Sequence, residues 1–556
     1  MSPARERSGG GRHRAGGRLT PGMLVDRNGP VPAAERAVTI VPSGRARRGS
    51  RRDTDPPPAP PVEGDARLRG MARGGAANLI GAVVTTLANL LLAIVVARAL
   101  STTDAGVFFS VTSLMLLLAT LGRLGTGNGL VYFLPRLRLN GSPDEVGAAL
   151  RLAFRPTLIA SSVLGVALFA LAPQVAGLIA AERQADATLV LRLVAVALPF
   201  ASIGDVFQSA TRGFNRMRTT VVVEKIARPA AQLGLIAVAA PTGSTVLLVV
   251  AWTAPYLPAT LASWLPIRRL AAADRRARSD RSPSGFDRAE FWRFTAPRAV
   301  TSLAQIVLQR LDVILVAAIV GSPQAALYAA ATRFLVVGQL GNQAIALSLQ
   351  PRLSAALARR DLVHADVLYK TATSWLVLLT WPLYLLILLF PGALLSVFGQ
   401  QYVKATDVVV ILCSVMLVAT ACGQVDSVLM MAGKSSWNMA NALAALVIDV
   451  VVDLILLPRI GITGAAIGWA AAILVNNLVP LSQVWWSTRL HPFGRGTLTA
   501  ILLTCTAVLV GAVPVRLLAG DALVPALVGG VLTVLVWLVV GYALRRRLGL
   551  TALLRR

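Results

Sequence analysis

The stretch AANLIGAVVTTLANLLLAIVVARAL, residues 76–100, runs into the short turn STTDAGVF, residues 101–108. Its only charge is Arg98, near the end. At about 1.5 Å per residue, a helix of this length crosses a hydrocarbon core of about 30 Å. A second stretch, APRAVTSLAQIVLQRLDVILVAAIV at 296–320 with QAALY at 324–328, lies on the first without a gap. The offset is about 220 residues, and it also lays the turn at Gly213 on the turn at Gly433. Internal repeats of whole helix groups are how many transporters are built, with the binding site at the repeat interface. Function is therefore sought in a cavity between two similar bundles.

Composition agrees. Of 556 residues, 55% are hydrophobic and only 14% charged, against about a quarter charged in soluble domains. Strand-type alternation is absent, so helices are the spanning solution, each satisfying its own backbone polar groups. The fold class expected is an all-α polytopic membrane protein with about 14 spanning helices. The first half gives 76–100, 105–124, 153–172, 189–211, 219–240 and 245–266; the second gives 295–320, 324–348, 373–397, 407–430, 437–457 and 462–486. Two more follow at 497–518 and 523–544. Six helices per repeat is an even number, so the two lobes are parallel, related by an axis along the membrane normal. The domains read as a disordered basic tail (1–73), an N-lobe (74–289), a C-lobe (290–493), and two extra helices with a basic tail (494–556).

A net charge of +28 invites a nucleic-acid partner, but its distribution argues against one. Much of it sits in the first 70 residues and in loops on one side of the membrane, and those first residues are rich in Arg, Gly and Pro and cannot bury a core. That segment is no signal peptide. Met71, directly before the first helix, is an alternative start, and the other reading of the tail is a basic arm on anionic headgroups. The remaining bases collect in alternate loops: Arg123 to Arg155, Arg212 to Arg218, Arg268 to Arg293, Arg352 to Lys370, Lys434, Arg489, Arg495 and Arg545 to Arg547. The opposite loops hold little beyond Arg98, Arg183, Arg192, Lys404, Arg459 and Arg516. That bias, roughly four to one, puts both termini in the cytoplasm by the positive-inside rule. Among the inside pieces, Ser142-Pro143-Asp144-Glu145 reads as a capping box opening a helix.

Buried charge carries the candidate chemistry, because each charge at the bilayer centre costs about 2.5–3.5 kcal/mol. Arg310 and Arg333 flank the turn Gly321-Ser322 at equal distances, both roughly 16 Å below it. Asp312 is at nearly the same depth. Arg310 and Asp312 are two apart and face different ways, so Asp312 either pairs with Arg333 and frees Arg310, or the reverse. The matching positions of the first repeat are Leu90, Leu92 and Ser113. The two arginines are either an ion-pair fixture for packing or an anion site. Arg228 stands four after Glu224, the order of a local pair, and is also a substrate candidate. Arg298 either meets a headgroup or snorkels. Asp449 and Asp453 share a helix face and repel, so a cation sits near them or one carries a proton. They are the candidates for H⁺ or Na⁺ coupling, unless Asp453 is wet. Gln305, Gln309, Gln339, Asn342, Gln343, Asn476 and Asn477 add neutral lining suited to sugar hydroxyls or to helix packing. His13, His364 and His491 are scattered and no C-x-x-C occurs, so neither metal nor cofactor is expected.

The segment Gly74 to Phe109, with Ala99-Leu100-Ser101-Thr102-Thr103-Asp104-Ala105-Gly106-Val107-Phe108 at its turn, resembles the first hairpin of polysaccharide flippases. Gln309-Arg310-Leu311-Asp312 and the apolar run to Gly321 resemble that family's seventh helix. The likeness covers about residues 74–490 and places the chain in the multidrug/oligosaccharidyl-lipid/polysaccharide exporter superfamily. It implies two lobes in a V that open alternately, in the cytoplasmic membrane. The substrate implied is a polyprenyl diphosphate carrying an oligosaccharide, for surface polysaccharide synthesis. Membrane lipids, and the polymerase and glycosyltransferases of the same pathway, are the implied partners. The arginines would neutralise the diphosphate bidentately, with the lipid tail in a groove beside the last two helices. The first helix lacks the interior Arg or Asp of peptidoglycan-precursor flippases, which argues against that lipid. The alternatives are a cation-coupled multidrug exporter of the same fold and a membrane glycosyltransferase using Asp104 in an outer turn. No nucleophile with a positioned base is visible, so the chain does not read as an enzyme.

Overall fold

The computed structural model describes residues 63–140, 142–277 and 285–544, and all regular structure among them is helical. In chain order the α-helices are α1 (Glu63–Ala99), α2 (Thr102–Gly122), α3 (Thr126–Asn140), α4 (Pro143–Ala170), α5 (Ala172–Ile179), α6 (Gln184–Gly213) and α7 (Met217–Thr219). Then come α8 (Arg228–Ala239), α9 (Thr245–Thr253), α10 (Tyr256–Ala277), α11 (Arg288–Ile319), α12 (Ser322–Ala331), α13 (Arg333–Ala358) and α14 (Leu362–Leu389). The rest are α15 (Pro391–Ser396), α16 (Thr406–Ala421), α17 (Val425–Met431), α18 (Ser435–Ile460), α19 (Ile462–Thr488), α20 (Arg495–Gly511), α21 (Val513–Ala519) and α22 (Leu523–Ala543). The tail before residue 63, the linker from 278 to 284 and Arg545 to Arg547 lie outside the described residues. Residues 63–73, expected in the disordered tail, are instead the first turns of α1. A helix propagates easily once nucleated.

The repeat survives in three dimensions. α1 ends at Ala99 and α11 at Ile319; α2 begins at Thr102 and α12 at Ser322. Local chemistry sets these ends. Ser101 Oγ accepts from the Asp104 amide at 3.1 Å and donates to its carboxylate at 2.7 Å. In the second copy, Pro323 in the first turn needs no cap. The capping box of α4 also forms: the Ser142 amide donates to Glu145 Oε2 at 2.8 Å, and the Glu145 amide to Ser142 Oγ at 3.4 Å.

Twelve helical segments among the described residues are long and apolar enough to cross a membrane. The two others expected, 219–240 and 324–348, do not reach that length and hydropathy, and both are interrupted. In the first, Pro229 lacks the amide that would bond to the Lys225 carbonyl four residues back. Thr85 Oγ1 of α1 donates to that carbonyl instead, at 2.8 Å. The chain widens into a π-helix over Thr220–Ala227, where the Arg228 amide donates to Val223 O. Such insertions gather at functional sites. In the second, α12 gives way to α13 at Thr332, whose hydroxyl turns back to Ala329 O at 3.0 Å.

The halves form one packed body at one end and separate at the other. A single apolar cluster joins Val96, Phe108, Val194 and Leu248 of the first half to Val316, Tyr328, Tyr384 and Val408 of the second. At the end where α10 finishes and α11 begins, each half has its own cluster, around Phe133 and Phe214 or around Leu353 and Tyr369. The space between the halves therefore opens toward the α10/α11 end. Phe291 of α11 packs in the first-half cluster, and Phe294 stacks on Tyr132 at 3.9 Å. The helix expected to open the C-lobe at residue 290 thus starts inside the N-lobe.

The closed end is latched. Arg98 donates to the carbonyls of Val397 at 2.7 Å and Ser396 at 3.3 Å. α2 crosses α12 so closely that a Cβ on Gly106 would stand 1.8 Å from Ser322 O. Gly106→Ala is expected to cost about 1–3 kcal/mol, as overpacking against backbone does. It should appear as a lower melting temperature of the detergent-solubilised protein; an unchanged value would contradict so close a crossing.

The last helices lean on α14. Ser374 and Thr497 hydroxyls meet at 3.2 Å. Asp521, before α22, accepts from the amides of Gly392 and Ala393 at 3.0 and 2.9 Å and so caps α15. Arg516 donates to Leu389 O at 2.9 Å.

Candidate functional site

α11 and α13 bring Arg310 and Arg333 to one cavity of about 250 Å³ between the halves. Arg228 of α8 joins them, with Thr85, Thr86 and Asn89 of α1 opposite. Among the described residues, no carboxylate lines this cavity. Nε of Arg310 and of Arg333 is buried without a hydrogen-bond partner. The Arg333 guanidinium lies 5.4 Å over the Phe109 ring, and that of Arg228 lies 4.9 Å over Tyr256. Arg228 also approaches Glu224 at 3.9 Å, as the i,i+4 spacing suggests. Arg310 and Arg333, with no carboxylate between them, repel, and a bound anion such as phosphate relieves this through paired N–H donors.

The pairing expected between Asp312 and one of these arginines does not form. Two residues past Arg310, Asp312 faces away from the cavity, and Tyr328 Oη donates to its Oδ2 at 2.6 Å. One oxygen each of Asp312, Asp449 and Asp453 lies within 4.8 Å of the others. The three are 3%, 1% and 0% exposed, so Asp453 is not wetted at the surface. Gly468 of α19 makes the room: a Cβ there would meet Asp453 Oδ1 at 2.2 Å. Apart from the Tyr328 bond, the remaining oxygens of all three carboxylates have no partner. Like charges this close need a positive charge among them, and all-oxygen ligands suit a proton or a hard cation. Sequence reasoning missed Tyr328. The signal was there: at the repeat offset it lies over Phe108, and its hydroxyl is the difference.

A sequence profile of the family described as polysaccharide biosynthesis protein matches residues 71–357, just over half of the chain. The chain belongs to that family. No curated protein sequence matches it. Among solved structures, this chain is similar to the lipid II flippase MurJ in an inward closed conformation. The TM-score is 0.67 at 12% identity, over 85% of this chain and 99% of that one. It is also similar to an inward-facing multidrug resistance MATE family transporter of the MOP superfamily. There the TM-score is 0.60 at 17% identity, over 73% of this chain and 94% of the other. A third neighbour, a MOP superfamily transporter from Pyrococcus furiosus, gives 0.51 at 17% identity over 76% and 94%. At such identities the likeness is one of fold.

The other candidates fall elsewhere. Arg298 does not line the arginine cavity; it is exposed near the start of α11, 3.6 Å over the Phe294 ring. Asp104, the residue a glycosyltransferase would need free, is held by Ser101 and approached by Arg183 at 3.8 Å. The amides Gln305, Gln309, Gln339, Asn342, Gln343, Asn476 and Asn477 line a second cavity, of about 420 Å³.

Proposed function

We propose that this protein is a flippase that carries a polyprenyl-diphosphate-linked oligosaccharide across the cytoplasmic membrane, for surface polysaccharide synthesis. The observation that carries the reading is the cavity where Arg310 and Arg333 stand beside Arg228 with no carboxylate partner of their own among the described residues. A diphosphate is an anion of the right geometry for two guanidiniums, each offering a planar fork of donors. The membership in a polysaccharide biosynthesis family supports a glycan cargo. With both termini in the cytoplasm, the open end faces the cytoplasm, where lipid-linked precursor is loaded. Flipping follows when the Arg98 latch opens and the other end closes. Arg298, exposed near the open end, is suited to a headgroup or an entering diphosphate. Asp449 and Asp453, with Asp312, would hold the coupling H⁺ or Na⁺.

The wall that α1 gives the arginine cavity is neutral (Thr85, Thr86, Asn89), which favours a cargo other than the peptidoglycan lipid. The alternative, a cation-coupled multidrug exporter, draws on the acidic triad and on the MATE-like fold. Three guanidiniums in the cavity disfavour the cationic cargo such an exporter would carry.

The test is a lipid extract from cells depleted of the protein. Polyprenyl-diphosphate-linked oligosaccharide should accumulate while surface polymer disappears. An unchanged lipid pool with intact polymer, together with lost dye efflux, would replace this reading with the drug exporter.

A further inference from the structure

Beside the arginine cavity lies a chamber of different chemistry. It has about 420 Å³, within the range of about 300–1,000 Å³ typical of small-ligand pockets. The same two helices build both. On α11, Gln305 and Gln309 precede Arg310; on α13, Gln339 and Gln343 follow Arg333. The chamber is therefore displaced toward the open end by about 8 Å along the helices, at 1.5 Å per residue.

Its amides are of two kinds. Gln424 is committed: its Nε2 donates to Asn342 O at 2.9 Å and to the Asn342 side chain, and its Oε1 accepts from Ser427 at 3.2 Å. Asn477 donates to Ile473 O at 2.8 Å. Gln305, Gln309, Gln339, Gln343 and Asn476 make no hydrogen bond to any described residue. Each offers two donors and an acceptor to whatever fills the chamber. Amides at this depth that serve no packing contact imply a wet or ligand-filled space.

One charge faces the chamber, and it is negative. Asp426 is exposed there, and no Lys, Arg or His is in the lining. A helix break positions it. α16 stops and α17 starts around Gly423, at φ +71°, where a Cβ would strike Thr373 Oγ1 at 2.1 Å. Tyr369 Oη donates to the freed Cys422 carbonyl at 2.6 Å. Broken helices of this kind mark substrate sites in transporters.

We propose that this chamber is the glycan subsite, and that it accepts neutral or amino-bearing sugars and rejects uronic acids. The assignment rests on the flippase reading above. A diphosphate held by Arg310 and Arg333 leaves its first sugars within reach of the free amides. Those amides satisfy hydroxyl and acetamido groups equally well. A uronate carboxylate would meet Asp426 with no cation to offset the repulsion.

The experiment uses the full-length protein in lipid nanodiscs and three probes: farnesyl diphosphate, its N-acetylglucosamine conjugate and its glucuronic acid conjugate. Each Kd is measured for wild type, Gln339→Leu/Gln343→Leu and Asp426→Asn. The N-acetylglucosamine probe should bind about tenfold more tightly than farnesyl diphosphate, the worth of one or two hydrogen bonds. The glucuronic acid probe should show no gain. The double variant should bring the ratio of the first two constants to about one, and Asp426→Asn should give the uronate probe a gain. Farnesyl diphosphate that binds while the sugar adds nothing, or a uronate probe as tight as the neutral one, overturns the subsite alone. Farnesyl diphosphate that fails to bind wild type overturns the flippase reading, and the subsite with it.

Discussion

Arg310→Ala and Arg333→Ala should each abolish transport while leaving the protein at least as stable as wild type. The first half of the expectation follows from the cargo. A guanidinium–phosphate contact contributes about 1.5–3 kcal/mol, so each loss should weaken polyprenyl-diphosphate binding by roughly 10- to 150-fold, at 1.4 kcal/mol per decade. Arg333→Lys should fall between, because an ammonium keeps the charge and loses the fork. The second half follows from the fold. Neither Nε has a partner and, among the described residues, no carboxylate lines the cavity, so these cations oppose packing in the empty protein. Removing one relieves repulsion and desolvation together. A packing ion pair would behave in the opposite way, its loss lowering the melting temperature. The checks are membrane levels, melting temperature and restoration of surface polymer in depleted cells. Normal polymer in both variants would eliminate the anion site.

Asp449→Asn and Asp453→Asn should uncouple transport from its driving ion. With Asp312 they place three carboxylates within 4.8 Å, and only one oxygen, Oδ2 of Asp312, has a donor. An ion that bridges them stabilises the folded state by RT ln(1 + [L]/Kd), about 2.7 kcal/mol at a hundredfold excess over Kd. The wild type should therefore melt higher as Na⁺ is raised, if Na⁺ is the ion, or respond to pH in place of Na⁺ if it is a proton. Either Asn variant should lose that response, and its transport should stop following the gradient. Tyr328→Phe, which removes one hydroxyl from a site that keeps its three carboxylates, should shift the response less. Wild-type protein indifferent to both ions, or Asn variants that respond as it does, would end the coupling proposal.

Much of this was legible before any coordinates. The repeat that aligns residues 76–100 with 296–320 predicts where α1, α2, α11 and α12 stop and start, because those ends depend on local groups: Ser101, Gly321, Pro323. The capping box at Ser142 is local in the same sense. So is the apolar length of most spans. Depth along a helix is also a counting problem, which is why Arg310 and Arg333 could be set level with each other.

Direction around the helix was not legible. Asp312 could be paired with an arginine on paper because nothing in the chain says which neighbour a helix face meets. The packing of α11 against α18 and α12 turned it to Asp449, Asp453 and Tyr328 instead. The same limit hid the breaks. Pro229 announces a lost hydrogen bond, but only Thr85 on another helix makes a π-turn acceptable there. Gly423 announces a turn, but only Tyr369 shows that it is a broken span. By itself the sequence determined the helices, their repeat, their depth and the membrane as solvent, since each follows from near neighbours and the length of an apolar run. The tertiary structure alone decided which buried charges share a space, because a helix can turn any face inward and only packing against other helices chooses one.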